Sequence, residues 1–541
     1  MDVVVGLDSG TTATKAVAAT ASGEVAAVAS VGYPLLVPAP GRAELDANAV
    51  CSAVVEALVA VTERLHARGD RVVGICLSAA MHGLVPLDRD GAPTAKLITW
   101  ADGRAAEQAR ALRAQSAGAT AHSLHQRTGT PVHPMSPLLK LMWLAEHDPE
   151  LLHRTDRWGG VKELMITALC GSGPVVDLSC ASATGLLDIH TRRWDTEALG
   201  LAGVARHQLP VIVATTARLG PLRAGVAAAA GLPVSTPLVI GASDGVLANL
   251  GVGAVTPGVG AVSLGTSGAI RTVRSKPAVD RAGRLFCYAL TEDRWVLGGA
   301  VNNGGSVVRW AGNAFGVSDP SPPADRGGRE RPDGSDAAAT ADTAAANARD
   351  ALLIEEAEQA PAGSAGLLCL PYLLGERAPW WRPGMSGAYL GLRRDHRRAH
   401  LVRAAIEGVC QQLALVHDAL SDAEVPLTEV RATGGAVNSP LWVTTLASTL
   451  DLPVRLADSA EGTGLGACLL GHHALGSFPD LDDAATLVTV GKPVLPVLAD
   501  AVRYRKARPL IETATRALAE VFPRLRELAD QPSHDETLPG G

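Results

Sequence analysis

The sequence predicts an α/β fold of two lobes flanking a cleft, and three observations predict it. The chain has 541 residues, 47% of them hydrophobic and 19% charged, which is enough apolar material for two cores and too much for a disordered chain. Through the first half, apolar strand-like runs alternate with helix-length stretches, the mark of a layered α/β fold rather than an all-β one. A strand-turn-strand unit with a Gly-Thr turn opens the chain, and a second such unit appears near its middle.

The elements follow in order. Val3 to Val17 reads as a strand, a tight turn around Gly10-Thr11-Thr12 and a second strand. Ala47–Arg68 and Arg104–Ala117 read as helices, with strand-like runs at Val72–Leu77 and Leu97–Trp100. Leu138–Glu146 and Lys162–Cys170 continue the helices, the former opened by Pro137, whose missing N–H does no harm in a first turn. Between Arg223 and Arg271 there is one ionisable side chain, Asp244, in the turn Gly241-Ala242-Ser243-Asp244-Gly245 between two apolar segments. The pattern then restarts with a hairpin over Gly260–Thr272, a strand at Trp295–Gly299, an Asn-Asn-Gly-Gly turn at 302–305 and a helix over Ser306–Phe315. The expected organisation is a first lobe over residues 1–246, a second over 247–510, and a terminal helix near Pro509–Leu528 with a polar tail within 511–541. Residues 318–350 hold almost no large apolar side chain and are expected to be a disordered insert.

A carboxylate left in an apolar neighbourhood costs on the order of several kcal/mol unless it is paired or put to use, so Asp244 reads as functional. Downstream of it lies Ser263-Leu264-Gly265-Thr266-Ser267-Gly268, a turn suited to phosphate. A base beside a phosphate turn points to phosphoryl transfer. In the first hairpin, glycine lets backbone N–H groups approach a phosphate, Thr11 and Thr12 add hydroxyl donors, and Asp8 is placed to hold a hydrated Mg²⁺. No Walker loop and no dinucleotide fingerprint is present. Two Gly-Thr hairpins, one per half, fit the paired phosphate loops of the actin-like (ribonuclease H-like) ATPase architecture.

Composition narrows the remaining classes. A net charge of −7 with no Lys/Arg run argues against a nucleic-acid surface. The opening Met-Asp-Val-Val-Val lacks a basic n-region, and Gly231, Pro233, Pro237, Gly241, Gly251 and Pro257 break the long apolar tract around Asp244, which therefore reads as core and not membrane. The eight cysteines form no C-x-x-C pair, as expected of reduced thiols in a cytoplasmic protein. The pairs His122/His125 and His472/His473 lack partners at metal spacing.

From Val3 to about Leu528 the chain resembles the FGGY family of carbohydrate kinases. The family's first signature has its counterpart in Met135-Ser136-Pro137-Leu138-Leu139-Lys140-Leu141-Met142-Trp143-Leu144-Ala145-Glu146-His147. The second appears as Gly387-Ala388-Tyr389-Leu390-Gly391-Leu392 followed by His400-Leu401-Val402-Arg403-Ala404-Ala405-Ile406-Glu407, and the adenosine motif as Ala432-Thr433-Gly434-Gly435-Ala436-Val437-Asn438. The resemblance implies that Asp244 is the general base and that ATP and Mg²⁺ are used. It implies phosphate contacts at Thr11, Thr12, Lys15, Gly265 and Thr266, nucleotide contacts at Gly305, Arg309, Gly434, Gly435 and Asn438, and an Mg²⁺ partner in Asp8. Sugar contacts are implied at Met81, His82, Trp100, Asp102, Met135 and Gly245, and Lys162 is a candidate cation for the substrate.

Within the family, the strings Ser78-Ala79-Ala80-Met81-His82, Arg127-Thr128-Gly129-Thr130-Pro131-Val132-His133-Pro134 and Gly241-Ala242-Ser243-Asp244-Gly245 are most similar to gluconokinases, which phosphorylate D-gluconate at its 6-hydroxyl. Xylulokinase is the near neighbour, and a sugar-sensing protein without turnover is a further alternative. A gluconate carboxylate needs donors or a cation, for which Lys162, His82, His133 and Arg104 are candidates. The expected partners are a small sugar or sugar acid and ATP, with no nucleic acid and no membrane, and a homodimer remains open.

Overall fold

The structure is a computed structural model that describes residues 1–171, 173–315, 349–457 and 461–530. Its first sheet holds β1 (Asp2–Ser9), β2 (Ala13–Thr20), β3 (Val25–Gly32), β4 (Arg71–Ala79) and β5 (Leu238–Ser243), in the spatial order β5-β4-β1-β2-β3. β1, β2 and β3 pair antiparallel, and β4 and β5 join parallel to β1. The apolar run of β1 is continuous because both of its faces are covered. Val3, Val5 and Leu7 pack in one core with Val50, Val54 and Leu58 of α1 (Ala47–Arg68), while Val4 belongs to a second core with Ala467 and Leu470. Asp46 caps α1 by accepting from the N–H of Asn48 and Ala49, and Gly69, with φ 74°, ends it.

The second sheet holds β6 (Val259–Leu264), β7 (Gly268–Arg274), β8 (Phe286–Ala289), β9 (Trp295–Val301), β10 (Glu429–Thr433) and β11 (Val454–Leu456), in the order β8-β9-β7-β6-β10-β11. Without the edge strand β8, this order and its directions repeat those of the first sheet: an antiparallel meander continued by two parallel strands. Each sheet therefore presents a first hairpin turn beside the ends of parallel strands.

The lobes join at two helices, α2 (Asp244–Gly251) and α3 (Gly462–Leu475). A Cβ on Gly251 would lie 1.6 Å from the carbonyl oxygen of Gly462, and one on Gly466 would lie 2.1 Å from that of Leu247. The two helix backbones touch at a distance that only glycine permits. Although it follows the second sheet in sequence, α3 covers the face of the first sheet opposite α1.

Several sequence expectations are corrected. Strand pairing stops at Ile98, so Trp100 lies in a turn, and β3 was not anticipated. Gly241 to Ser243 belong to β5 and Asp244 opens α2, so the segment is a strand running into a helix, and residue 246 falls inside α2. The C-terminal segment forms two helices, Leu498–Leu518 and Val521–Asp530. Of the expected insert, 318–348 lies outside the described residues, as does the tail 531–541, and Arg349 and Asp350 are helical.

Candidate active site

The parallel strands of the first sheet bring three polar side chains to one edge. The register sets Asp8 beside Ser78 on β4, and Ser78 and Ala79 beside Ala242 and Ser243 on β5, one residue before Asp244. Ser78 Oγ donates to Asp8 Oδ1 at 2.6 Å, and the N–H of Gly245 donates to Asp244 Oδ1 at 2.7 Å. Burial raises the Asp8 carboxyl to about 6, helped by the negative charge of Asp244 and opposed by the Ser78 hydrogen bond. Asp244 is raised by burial too, against the Gly245 N–H and the positive charge of Arg271. Asp8 thus feels the charge of Asp244 in a poorly solvated place, the setting in which a carboxylate gains proton affinity.

What aims Asp244 is a break in β5. Gly241 takes φ 70°, and a Cβ there would lie 1.8 Å from the carbonyl oxygen of Leu77. The β4–β5 register shifts across this point. Lys162, from the helix Val161–Leu169, sits under the break and donates to the carbonyls of Leu77 at 3.1 Å, Ile240 at 2.6 Å and Ala242 at 3.1 Å, with Asp177 Oδ2 3.4 Å away. Lys162 is 1% exposed. The sequence offered it as a substrate ligand; the fold makes it a buried tie between strands, fully occupied by backbone and Asp177.

A cavity of about 290 Å³ opens over Asp244, and its walls come from both lobes. Thr11, Met81, His82, Trp100, Met135 and Gly245 line it. Trp100 Nε1 donates to Thr11 Oγ1 at 2.8 Å, tying its turn to the first hairpin. His82 adopts φ 65° and is held on two sides: its Nδ1 meets the carbonyl of Ala183 at 2.7 Å, and its own carbonyl accepts from the buried Lys140 at 2.5 Å. Burial and the nearby Lys140 charge lower the His82 imidazole to about 3, so the ring is neutral. Asp102 is not on the cavity wall. It accepts from Arg104 Nε at 2.7 Å and from the Ala43 N–H at 2.8 Å, the bonds of a loop clasp.

Sequence reasoning missed the second lobe's share of the wall. Arg271 on β7, Arg377, Tyr288 and Trp381 all line the cavity. Arg271 donates to Ser263 Oγ at 3.3 Å; Arg377 donates to the carbonyl of Val301 at 3.1 Å and lies 5.1 Å over the Trp100 ring. Among the described residues neither guanidinium has a carboxylate in ion-pair contact. Burial lowers Arg271 to about 10, so it still carries its charge at neutral pH, and burial lowers Arg377 as well. The signal was present in both cases, an arginine inside the apolar strand Ile270-Arg271-Thr272-Val273 and another in Gly375-Glu376-Arg377-Ala378, but nothing local showed where either side chain would point.

Glycine backbone forms a groove on the second lobe next to this cavity. The N–H of Gly305 donates to the carbonyl of Gly265 at 2.7 Å, and that of Gly304 to Thr266 at 2.9 Å. Gly434, at φ 110°, lies against Leu264, where a Cβ would be 2.5 Å from the carbonyl oxygen. A Cβ on Gly265 or Gly435 would meet nothing within 4 Å, so both face open space. Asn438 is exposed at the end of the short helix Gly435–Asn438. Thr12 is exposed in the first hairpin turn, Lys15 pairs with Glu461 across the lobes at 2.8 Å, and Arg309 pairs with Asp350 at 2.8 Å. The arrangement offers a buried carboxylate, a cavity beside it lined from both lobes, and glycine backbone on the second lobe with open space around Gly265 and Gly435.

Two lobes of repeated topology with such a site between them define a kinase-like ATPase architecture, and the comparisons name the class. The chain matches the N-terminal domain of the FGGY family of carbohydrate kinases over residues 3–251 and the C-terminal domain of that family over 260–475. It belongs to the FGGY family of carbohydrate kinases. It is 37% identical over 523 residues to the gluconokinase of Bacillus licheniformis, covering 96% of this chain and 97% of that one. A gluconate kinase structure from Lactobacillus acidophilus superposes with a TM-score of 0.87 at 31% identity, covering 97% and 99% of the two chains. A ligand-bound xylulose kinase structure from the same organism gives the same TM-score and identity, covering 97% and 100%. No helix among the described residues is long and apolar enough to cross a membrane, and all eight cysteines are thiols.

Proposed function

We propose that this protein transfers the terminal phosphoryl group of ATP to the 6-hydroxyl of D-gluconate. The observation that carries the acceptor is the charge inventory of the cavity wall: one carboxylate, Asp244, and two guanidinium groups, Arg271 and Arg377, neither in ion-pair contact with a carboxylate among the described residues. An excess of buried positive charge matches an acidic sugar better than a neutral one. The 37% identity to the gluconokinase of Bacillus licheniformis supports the same reading.

In this mechanism Asp244 accepts the hydroxyl proton as the sugar oxygen bonds to the γ-phosphorus, while the bond from that phosphorus to the bridging oxygen breaks and ADP leaves. Its raised proton affinity suits a base working near neutral pH. Thr11, Thr12, Lys15, Gly265 and Thr266 hold the phosphates; Gly305, Arg309, Gly434, Gly435 and Asn438 hold the nucleoside end. Mg²⁺ neutralises phosphate charge when bound with ATP. Among the described residues no cluster of three His, Cys, Asp or Glu side chains is present to cage a metal, and a single acidic partner such as Asp8, reached through water, fits an ion held chiefly by phosphates. Met81, His82, Trp100, Met135 and Gly245 surround the sugar carbons. Most of what this reaction asks of a protein is such positioning and charge neutralisation. The setting is cytoplasmic, in keeping with eight cysteines present as thiols.

The equal TM-score to a xylulose kinase structure favours one second reading, D-xylulose as acceptor. ADP formation by the purified protein with D-gluconate, D-xylulose and no acceptor separates them: the proposal requires the highest kcat/KM with gluconate, and a preference for xylulose rejects it.

A further inference from the structure

We infer that Arg377 is the specificity residue that reads the carboxylate of a sugar-acid substrate, while Arg271, beside Gly245, serves the reacting end of the same cavity. This rests on the proposed gluconate reading and adds to it the residue that would make the choice.

The two cations have different neighbours. Arg271 Nε lies 4.0 Å from the point a Cβ of Gly245 would occupy, beside the base, and Arg271 donates to Ser263 on the strand that leads into the Gly265-Thr266 turn. Arg377 lines the same cavity over Trp100, its guanidinium carbon 5.1 Å from the ring centroid, and shares the wall with Trp381, Tyr288 and His82. With the terminal hydroxyl of a linear six-carbon acid on Asp244, Arg377 is the cation left for its carboxylate.

Arg377 also has the bonding capacity for the task. A guanidinium carries five N–H donors in a planar fork that matches a carboxylate two bonds at a time. Here only the bond to the Val301 carbonyl is made, and Nε is buried with no hydrogen-bond partner. Buried polar atoms in folded proteins are almost always satisfied, so an orphan donor on the wall of a cavity calls for a polar ligand there.

The backbone of Arg377 is fixed by a neighbour that leaves its charge available. Glu376 Oε1 accepts from the N–H of Arg377 at 2.8 Å and of Asn302 at 2.6 Å, and Oε2 accepts from Asn303 Nδ2 at 3.1 Å. The acid is committed to the turn that carries Gly304 and Gly305. The other cations the sequence offered for a carboxylate are committed as well: Lys162 to the strand break, and Arg104 to Asp102 and Glu44.

The experiment compares D-gluconate with D-gluconamide, which differs only at the carboxylate, in the parent protein and in Arg377→Met, Arg377→Lys and Arg271→Met. Kd for each compound is measured by calorimetry and kcat/KM by ADP formation, with thermal melting as the check on folding. The parent should bind gluconate roughly 100-fold more tightly than gluconamide, from the cost of removing one partner of a buried charge pair. Arg377→Met should bring that ratio close to one through loss of gluconate affinity alone, and Arg377→Lys, which keeps the charge without the fork, should retain part of it. Arg271→Met should slow turnover of both compounds and leave the ratio intact. A folded Arg377→Met or Arg377→Lys protein with the parent ratio overturns the assignment, as does collapse of the ratio in Arg271→Met. A parent that binds both compounds equally overturns the sugar-acid reading itself.

Discussion

Lys162 Nζ lies 2.6 Å from the carbonyl oxygen of Ile240, inside the strand break that delivers Asp244 to the cavity. A cation so placed shapes the active site without touching what binds in it.

Replacing Lys162 with methionine should therefore destabilise the protein by about 3 kcal/mol or more, because three carbonyls and Asp177 lose their common partner. Denaturant unfolding of the parent and variant measures the loss. A variant of unchanged stability whose KM rises for gluconate alone would return Lys162 to the list of ligands.

Asp244→Asn should bind ATP and gluconate with affinities close to the parent's and lose about 10³-fold in kcat, the range expected when a general base is removed. Calorimetry for each substrate and single-turnover phosphoryl transfer make the comparison. Retained turnover would move the proton acceptor elsewhere.

Asp8 yields a pH prediction. Its folded carboxyl is raised to about 6 from an ordinary 3.8, so folding takes up a proton between those values. Ionising Asp8 in the folded protein is unfavourable; the penalty is absent below pH 4, grows through the window up to 6 and is complete above it. In Mg²⁺-free buffer Asp8→Asn should accordingly melt higher than the parent at pH 8 and at the same temperature near pH 4. An equal difference at both pH values would mean that the carboxylate is not strained by burial and by Asp244.

The groove can be tested without disturbing the fold. Neither Gly265 nor Gly435 has a positive φ, and a Cβ on either meets nothing within 4 Å. Gly265→Ala and Gly435→Ala should leave the melting temperature unchanged, yet raise KM for ATP by about 10-fold to 100-fold if a nucleotide lies against that backbone. Unchanged KM in both would place the nucleotide elsewhere.

Both Gly-Thr hairpins, the helix Ala47–Arg68 and the helix Ser306–Phe315 lie where the sequence puts them, since each is written in a local pattern of apolar spacing, caps and turns. Asp244 stood out for a similar reason: one carboxylate in a long apolar stretch is visible without a fold. Its setting was not visible. The segment resembled a turn, because a bulge at a positive-φ glycine and a turn use the same residues.

The sequence by itself determined that this is a two-lobed α/β carbohydrate kinase, with a lone acid and two Gly-Thr turns, because those features depend on residues close together in the chain. Only the tertiary structure decided which charges are free to act. Lys162 and Asp102 looked available and are bound to backbone and Arg104; Arg271 and Arg377 drew no notice and line the cavity. The physical reason is that a charged side chain's role is set by its partners, and for a buried charge these come from segments that only folding brings together. Lys162 is held by carbonyls 78 to 85 residues away, and Arg377 meets Trp100 across the cleft between the lobes.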